Sequence, residues 1–444
     1  MNKDEIISKV RAAGVTGAGG AGFPAHVKLD ATVEHVLGNG ASCEPLLMSD
    51  PCLMEKDPDT ILRGLQMVMD CTGAHQGSVC LKGKHQDAME ALKKKIGKGS
   101  YKKIGLFELG DFYPAGDEQV LVYEVTKRVV PEGGIPLQVG AVVSNVETLL
   151  NIKRAVDEGI PVTERYLTVA GEVLQPMIIK VPIGISVGDV IALAGGSTLD
   201  AYHVVMGGPM MGQVIHDMSA PVTKTTSGII VLPTNHNIIT GKIKNPEQVR
   251  KIAATICCQC TRCTDLCPRK LLGHRLEPHK IMRSLGWNTN LADETLQDAL
   301  ICSECGICEK YACPMMISPR EVNAAIKREL LTNGVKRPVA KKKYRPSNFR
   351  DMRKIPTKRL MQRLGISGYD NHPELYETEI QVSAVAIPLK QHLGAPSVSL
   401  VREGDHVAKG DVIGEIPEKA LGARVHASIS GRVTSVGDVV VIKG

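Results

Sequence analysis

Eight of the thirteen cysteines fall into two runs: Cys257-x2-Cys260-x2-Cys263-x3-Cys267-Pro268 and Cys302-x2-Cys305-x2-Cys308-x4-Cys313-Pro314. A tight C-x2-C-x2-C loop supplies three thiolates and a distant segment the fourth, which is what a [4Fe–4S] cubane requires. In two-cluster chains of this pattern the fourth cysteine of each run ligates the other cluster. The spacing therefore assigns Cys257, Cys260, Cys263 and Cys313 to one cluster, and Cys302, Cys305, Cys308 and Cys267 to the second. The gap before Cys313 holds one residue more than the first run, which a bulge or helical offset absorbs. Zinc ribbons take C-x2-C pairs, not triplets followed by Cys-Pro. Such clusters move one electron at a time and do no hydride chemistry, so the chain is expected to transfer electrons.

The other cysteines are Cys43, Cys52, Cys71, Cys80 and Cys258. Cys258 is off the ligand register, and the rest read as reduced, mostly buried thiols. Clusters and free thiols point to a reducing compartment. A length of 444 residues allows two to four domains. No apolar stretch is long enough for a membrane span, and Met1 to Ala13 lacks a signal-peptide core. Ile6, Ile7 and Val10 there fit one face of a short helix. The chain is expected to be soluble and cytoplasmic.

A second set of residues could hold a nucleotide. Gly14 to Lys28 reads GVTGAGGAGFPAHVK. Gly17, Gly19, Gly20 and Gly22 let the backbone approach a phosphate or a flat ring, because no Cβ intervenes. Lys28 can bring a positive charge to a phosphate, and Phe23 can stack on a ring. No strand precedes the loop, so it is a poor Rossmann fingerprint.

Several elements must position these residues. Gly77 to Leu81, Lys103 to Leu106 and Val139 to Val143 read as buried strands. Asp59 to Met69, Ala88 to Ile96 and Val146 to Val156 read as helices, which implies a sheet covered by helices. From Arg165 to Leu199 two strands precede a helix capped by Ser186 and ended by Gly195, the order of a β-grasp module. Lys336 to Arg359 is strongly basic with three prolines and reads as a solvated linker able to dock an acidic partner. Aromatics are only 3% of the chain, which leaves few stacking platforms for nucleic acid. The last sixty-odd residues hold short strands with Gly/Asp turns and resemble the barrel-sandwich fold of lipoyl domains. Lys419 lies near the tip, but without the Asp-Lys-Ala pattern of a lipoylated lysine.

Four segments, in order, resemble the NADH-oxidising flavoprotein subunit of respiratory complex I. The glycine loop with Phe23 and Lys28 is similar to its flavin loop. Asn39-Gly-Ala-Ser-Cys-Glu44-Pro45 is similar to Asn-x-Asp-Glu-x-Glu-Pro, with Ala41 and Ser42 in place of the acid pair. Tyr113-Pro-Ala-Gly116-Asp117-Glu118 is similar to Tyr-x-x-Gly-Glu-Glu, and Ser144-Asn145-Val-Glu147-Thr148 to Asn-Asn-Val-Glu-Thr. The resemblance implies that Gly17, Gly19, Gly20, Gly22, Phe23, Lys28, Asn39, Glu44, Tyr113, Gly116, Asp117, Glu118, Ser144 and Asn145 surround FMN. NADH would stack near Phe23 and the Gly116 turn.

The module order is similar to the cobalamin reductase family of propanediol-utilising microcompartments, itself related to the RnfC electron-transfer proteins. In RnfC proteins the barrel-sandwich module comes first; here it comes last. The resemblance implies an α/β multidomain chain. Residues 1–158 would form an FMN/NADH domain like the complex I flavoprotein, 159–240 a β-grasp module of the SLBB kind, and 245–333 a helical two-[4Fe–4S] ferredoxin domain. Residues 334–377 would be the basic linker and 378–444 a barrel-sandwich hybrid. It further implies electron flow from NADH through FMN and two [4Fe–4S] clusters to cobalamin. The partner would be a corrinoid, a corrinoid adenosyltransferase or another redox protein, in the cytoplasm or within a microcompartment shell. No Asp-x-His-x-x-Gly corrinoid motif is present. The alternatives are an RnfC-like adaptor serving a membrane complex or another reductase, such as proline reductase, and a docking scaffold.

Overall fold

Short apolar runs build the first sheet. In the computed structural model, which describes residues 1–97, 99, 101–286, 290–340 and 342–444, four parallel strands lie in the order Ile104–Leu109, Gln76–Lys82, His35–Gly40, Ala141–Asn145. Three of them match the expected strands with shifted ends. The central one, HVLGNG, carries no strand signal, because two glycines weaken the propensity. Packing explains both: a Cβ on Gly40 would lie 2.4 Å from Met54 Sδ, and one on Gly38 3.2 Å from Leu149 Cδ1. Without those side chains, helices Ser49–Lys56 and Val146–Lys153 lie close on the sheet.

The chain order across this sheet reverses between His35–Gly40 and Ala141–Asn145. Open α/β sheets bind ligands beyond the carboxyl ends of their strands at such a switch point. The register places Asn39 beside Asn145 there. Helix Pro58–Thr72 behind the sheet is delimited by local chemistry. Asp57 caps the Thr60 N–H, Pro58 opens the first turn, and Gly73 at φ +69° ends the last. Ile61, Leu62, Leu65 and Met69 form its buried stripe, and each such side chain stabilises by about 1.5–3 kcal/mol. Helix Lys3–Ala12 has an Asn2/Glu5 capping box and buries Ile6 and Val10, as the sequence predicts.

The second sheet runs Leu375–Tyr376, Met177–Pro182, Glu164–Gly171, Gly228–Pro233, Tyr202–Met206, Gln213–Ile215, with a parallel central pair. Helix Val187–Leu193 is capped by Ser186, whose hydroxyl accepts from the Asp189 N–H. Helices Pro246–Ile256, Pro278–Ser284 and Pro319–Thr332 enclose a separate core of Val249, Ala253, Ile281, Met282, Ile326 and Leu330.

The basic segment 334–377 is not a solvated linker. Strand Ile355–Pro356 pairs with Phe112–Tyr113, helix Thr357–Leu364 buries Leu360, Met361 and Leu364, and Leu375–Tyr376 extends the second sheet. Arg337 pairs with Glu132 and Asp298, and Arg350 and Lys354 pair with Glu124. Composition shows the charge but not its partners, which lie up to 226 positions away. Lys341 of this run lies outside the described residues.

The C-terminal strands form two small sheets, as the Gly/Asp turns predict. Their core is continuous with the first module: Val385, Ile387, Ile413, Val425 and Ile442 share one cluster with Ile6, Val10 and Val15. Lys224, 3% exposed, donates from Nζ to the carbonyls of Gly14 and Arg424, both at 2.7 Å. One buried amine thus ties three modules. No helix among the described residues is long and apolar enough to cross a membrane.

Burial lowers Lys224 from 10.5 to about 7. Between those values the unfolded chain holds a proton that the folded chain lacks, so this group's contribution to stability rises with pH and is flat below about 7. Chemical denaturation should show the stability difference between wild type and Lys224→Met growing from pH 7 to pH 9. A constant difference would remove this role.

Candidate functional site

The glycine loop is anchored at its base and open at its tip. The Ala18 N–H donates to Thr148 Oγ1 (2.9 Å), and the Ala18 carbonyl accepts from Arg165 Nη2 (2.9 Å). Arg165 also donates to the Thr226 carbonyl at 2.7 Å and forms an ion pair with Glu147, the two side chains being 4% and 1% exposed. Glu147 accepts the Tyr166 N–H at 3.2 Å. Burial pushes the Glu147 carboxyl up, and Arg165 opposes this. The Gly17 N–H donates to the Phe23 carbonyl (2.9 Å), closing the loop. Gly22 has φ +70°, and a Cβ there would lie 3.0 Å from the Gln391 carbonyl oxygen and His392 Cα, so only glycine fits. Gly19, Gly20 and Ala21 are exposed, and a Cβ on Gly20 would meet nothing within 4 Å.

Three further segments converge on that tip. A Cβ on Gly19 would lie 3.0 Å from Asn145 Nδ2. Asn145 Oδ1 caps the next helix at the Glu147 N–H, and its Nδ2 donates to Asp50, both at 2.9 Å. Burial and then the Glu147 charge push Asp50 up to about 7. Lys28 Nζ donates to the Val143 carbonyl (3.0 Å) and to Glu118 (3.3 Å), and stands 5.8 Å from the Phe23 ring centre. Asn39 clamps the neighbouring turn through the Gly116 carbonyl (2.9 Å) and the Ala41 N–H (3.2 Å). A Cβ on Gly116 would lie 3.1 Å from Ala41 Cβ, so the small residue in place of an acid lets the turn sit close. Ser144 is buried in register with Gly38. Open glycine backbone, a lysine, a carboxylate and a ring at strand ends suit a flat phosphorylated ring such as FMN.

Three expected contact residues are engaged elsewhere. Glu44 accepts the N–H groups of Met210 (2.9 Å) and Met211 (3.1 Å), and burial pushes its carboxyl up. The buried Tyr113 hydroxyl donates to the Cys305 carbonyl at 2.7 Å. Asp117 caps helix Glu118–Thr126 and pairs two-pronged with Arg269 at 2.6 and 3.0 Å. These residues join modules. Their partners, 152 to 192 positions away, leave no local signal in the sequence. Arg165, Asp50 and Arg269 escaped sequence reading for the same reason, while Thr148 lay in a quoted segment without a role.

The cysteines gather as the spacing predicts. Cys257, Cys260, Cys263 and Cys313 line one cavity, and Cys267, Cys302, Cys305 and Cys308 line another. Four cysteines at each cavity, with the fourth exchanged between the runs, fit two cubanes of one kind. The loops repeat one backbone shape: Gln259 and Thr261, and likewise Glu304 and Gly306, have φ between +55° and +79°. Such turns aim N–H groups inward, and the Glu304 N–H reaches Cys302 Sγ at 3.3 Å. The extra residue before Cys313 is taken up in a π-type turn, Ile307–Ala312, which closes one residue later than an α-turn. Burial pushes the Cys263 thiol up to about 12 and that of Cys267 up to about 11, so metal binding must displace their protons. Among the described residues no three His, Cys, Asp or Glu converge on a single ion.

The cavities are neighbours, since Cys263 and Cys308 pack in one cluster with Ala312. The Cys302–Cys308 loop faces the flavin-type domain through Tyr113, while Cys258 and Cys260 are exposed at the surface.

Family models match four segments of the chain. Residues 10–154 match the Nuo51 FMN-binding domain, 166–214 the SLBB domain, 256–318 the 4Fe-4S dicluster domain and 372–444 the RnfC barrel sandwich hybrid domain. Fold and site define a flavin- and iron–sulfur-dependent electron-transfer oxidoreductase. The chain is 44% identical to "Cobalamin reductase PduS" of Salmonella typhimurium, over 100% of this chain and 98% of the relative, and 44% identical to that of Citrobacter freundii, over 99% and 96%. It belongs to the cobalamin reductase PduS family. A component of the Na(+)-translocating ferredoxin:NAD(+) oxidoreductase complex of Acetobacterium woodii is 37% identical over 60% of this chain and 58% of its own. Among solved structures, an NAD+-reducing [NiFe]-hydrogenase in the H2-reduced state overlaps 76% of this chain and 63% of that one, at 20% identity and TM-score 0.49.

Two variant sets test the site. Iron should fall from about eight to about four atoms per chain in Cys267→Ala and Cys305→Ala alike, with the same residual spectrum by electron paramagnetic resonance. Cys313→Ala and Cys260→Ala should share the other spectrum, whereas pairing of Cys267 with Cys260 would refute the exchange. Arg165→Met strands the buried Glu147 carboxylate and should cost about 3–5 kcal/mol in thermal or urea unfolding, with Arg165→Met/Glu147→Leu recovering part of it.

Proposed function

We propose that this chain is an NADH-dependent reductase that delivers single electrons to a corrinoid. The carrying observation is the joint that fastens the Tyr113–Glu118 turn of the flavin-type site to the Cys302 cluster loop, through Tyr113 to Cys305 and Asp117 to Arg269. Such a joint holds the flavin-type site and the cluster loop at a constant separation, as electron transfer requires. Flavin, when bound, takes two electrons together and releases them singly. The protein contributes position. Ala18, held from both sides, fixes the loop that would receive the phosphate, and Lys28 offers its charge. Asn39 sets the Gly116 turn, and the packing of Cys263 against Cys308 keeps the clusters adjacent. The full-length relatives named as cobalamin reductases support cobalamin as acceptor. In this reading the partner is a corrinoid or its adenosyltransferase, and the setting a bacterial microcompartment.

Cluster-replete protein supplied with FMN should bleach its flavin absorbance on adding NADH without air and then reduce aquacobalamin. Absence of bleaching would end the enzyme reading; bleaching without cobalamin reduction would favour an RnfC-like adaptor. Arg269→Met should retain bleaching by NADH but slow cluster reduction about tenfold, a barrier change near 1.4 kcal/mol, as read by stopped-flow absorbance.

A further inference from the structure

Among the eight assigned cysteines, Cys260 alone is exposed. If electrons enter at the Cys302 loop, as the proposed function holds, they leave at the cluster of Cys257, Cys260, Cys263 and Cys313. Beside that cluster lies an open groove of about 580 Å³ lined by Arg262, Tyr311, Pro314, Arg359 and Arg363. Arg262 belongs to the cluster loop, and Pro314 follows the ligand Cys313. Arg359 and Arg363 stand one turn apart on helix Thr357–Leu364, and all three arginines are exposed.

These arginines have no carboxylate partner among the described residues. Their neighbours do: Arg337, Arg350, Arg353 and Lys354 each meet an Asp or Glu of another module. Like charges four apart on a helix repel, so Arg359 and Arg363 leave a cost that an approaching anionic surface would relieve. Exposed Ile256, Met315 and Met316, at 44%, 44% and 66%, border the same cluster loop. An apolar centre with a cationic flank beside a redox group suits a small, charge-steered encounter. The groove is wide, and every arginine lies at the surface. That suits a broad carboxylate-bearing face and not a small anion, which needs enclosed donors.

We infer that this face is the electron-exit dock for an acidic partner protein, with the partner's carboxylates against Arg262, Arg359 and Arg363 and its redox centre over Cys260. One electron passes from the reduced cluster, which is oxidised, to the partner's centre, which is reduced. No bond forms or breaks.

The test uses the full, cluster-replete chain, reduced either by NADH or by dithionite with the excess removed. The probes are acidic cytochrome b5, basic cytochrome c and ferricyanide. Wild type should reduce cytochrome b5 at a rate that falls about tenfold from low to high salt. At low salt, Arg359→Glu/Arg363→Glu should lose about tenfold with cytochrome b5, gain with cytochrome c, and keep its iron content and ferricyanide rate. Arg359→Lys/Arg363→Lys should stay close to wild type. The dock is overturned if the glutamate variant reduces cytochrome b5 as wild type does, if wild type prefers cytochrome c at low salt, or if ferricyanide reduction falls in parallel. Arginine dependence seen after dithionite but not with NADH supports the dock and counts against the NADH reading.

Discussion

The arrangement depends on the pair of Asp117 and the buried Arg269. It crosses from the flavin-type domain to the cluster domain, where electron transfer needs a short and constant separation. A buried ion pair is stabilising only when its other hydrogen-bonding capacity is met. Asp117 meets this condition, because it also accepts the Gln119 and Val120 N–H groups at the positive end of a helix. Tyr113, in the same turn, reaches the Cys305 carbonyl. Glu44, on the segment packed against that turn, reaches the Gly207–Gly212 loop of the second module. One short region of chain therefore sets the positions of three modules.

The same logic recurs at the glycine loop. A loop able to admit a ligand cannot be filled with its own side chains, so its shape must come from outside. Thr148 and Arg165 supply it by holding the two faces of one peptide, Ala18, and Glu147 holds Arg165 in turn. Lys224 does comparable work between Gly14 and Arg424. The buried charges of Arg165, Lys224 and Arg269 mark joints between modules, and the chemistry is left to exposed backbone, a half-buried lysine and cysteine.

The fold was legible wherever its signal was local. The cap at Ser186, the stripe of helix Pro58–Thr72 and the alternation of strands and helices are statements about neighbours within a few residues. Strand His35–Gly40 was illegible, because its glycines answer to Met54 and Leu149. The basic run 336–359 was misread for the same reason: Glu124 and Glu132, which neutralise much of it, are remote in sequence.

Cysteine spacing by itself grouped the eight cysteines as the structure gathers them. The cubane's geometry dictates a cysteine spacing that few other structures need, and of the bulge or helical offset expected before Cys313 the structure shows the helical form. The sequence also determined the glycine loop and the order of the modules. Tertiary structure alone decided which cluster lies next to the flavin-type site and which opens to solvent. It also showed that Glu44, Tyr113 and Asp117 join modules. The physical reason is that motif spacing reports the demands of a group bound locally. Distances between modules are set by buried pairs whose members are far apart in the chain and carry no periodic trace.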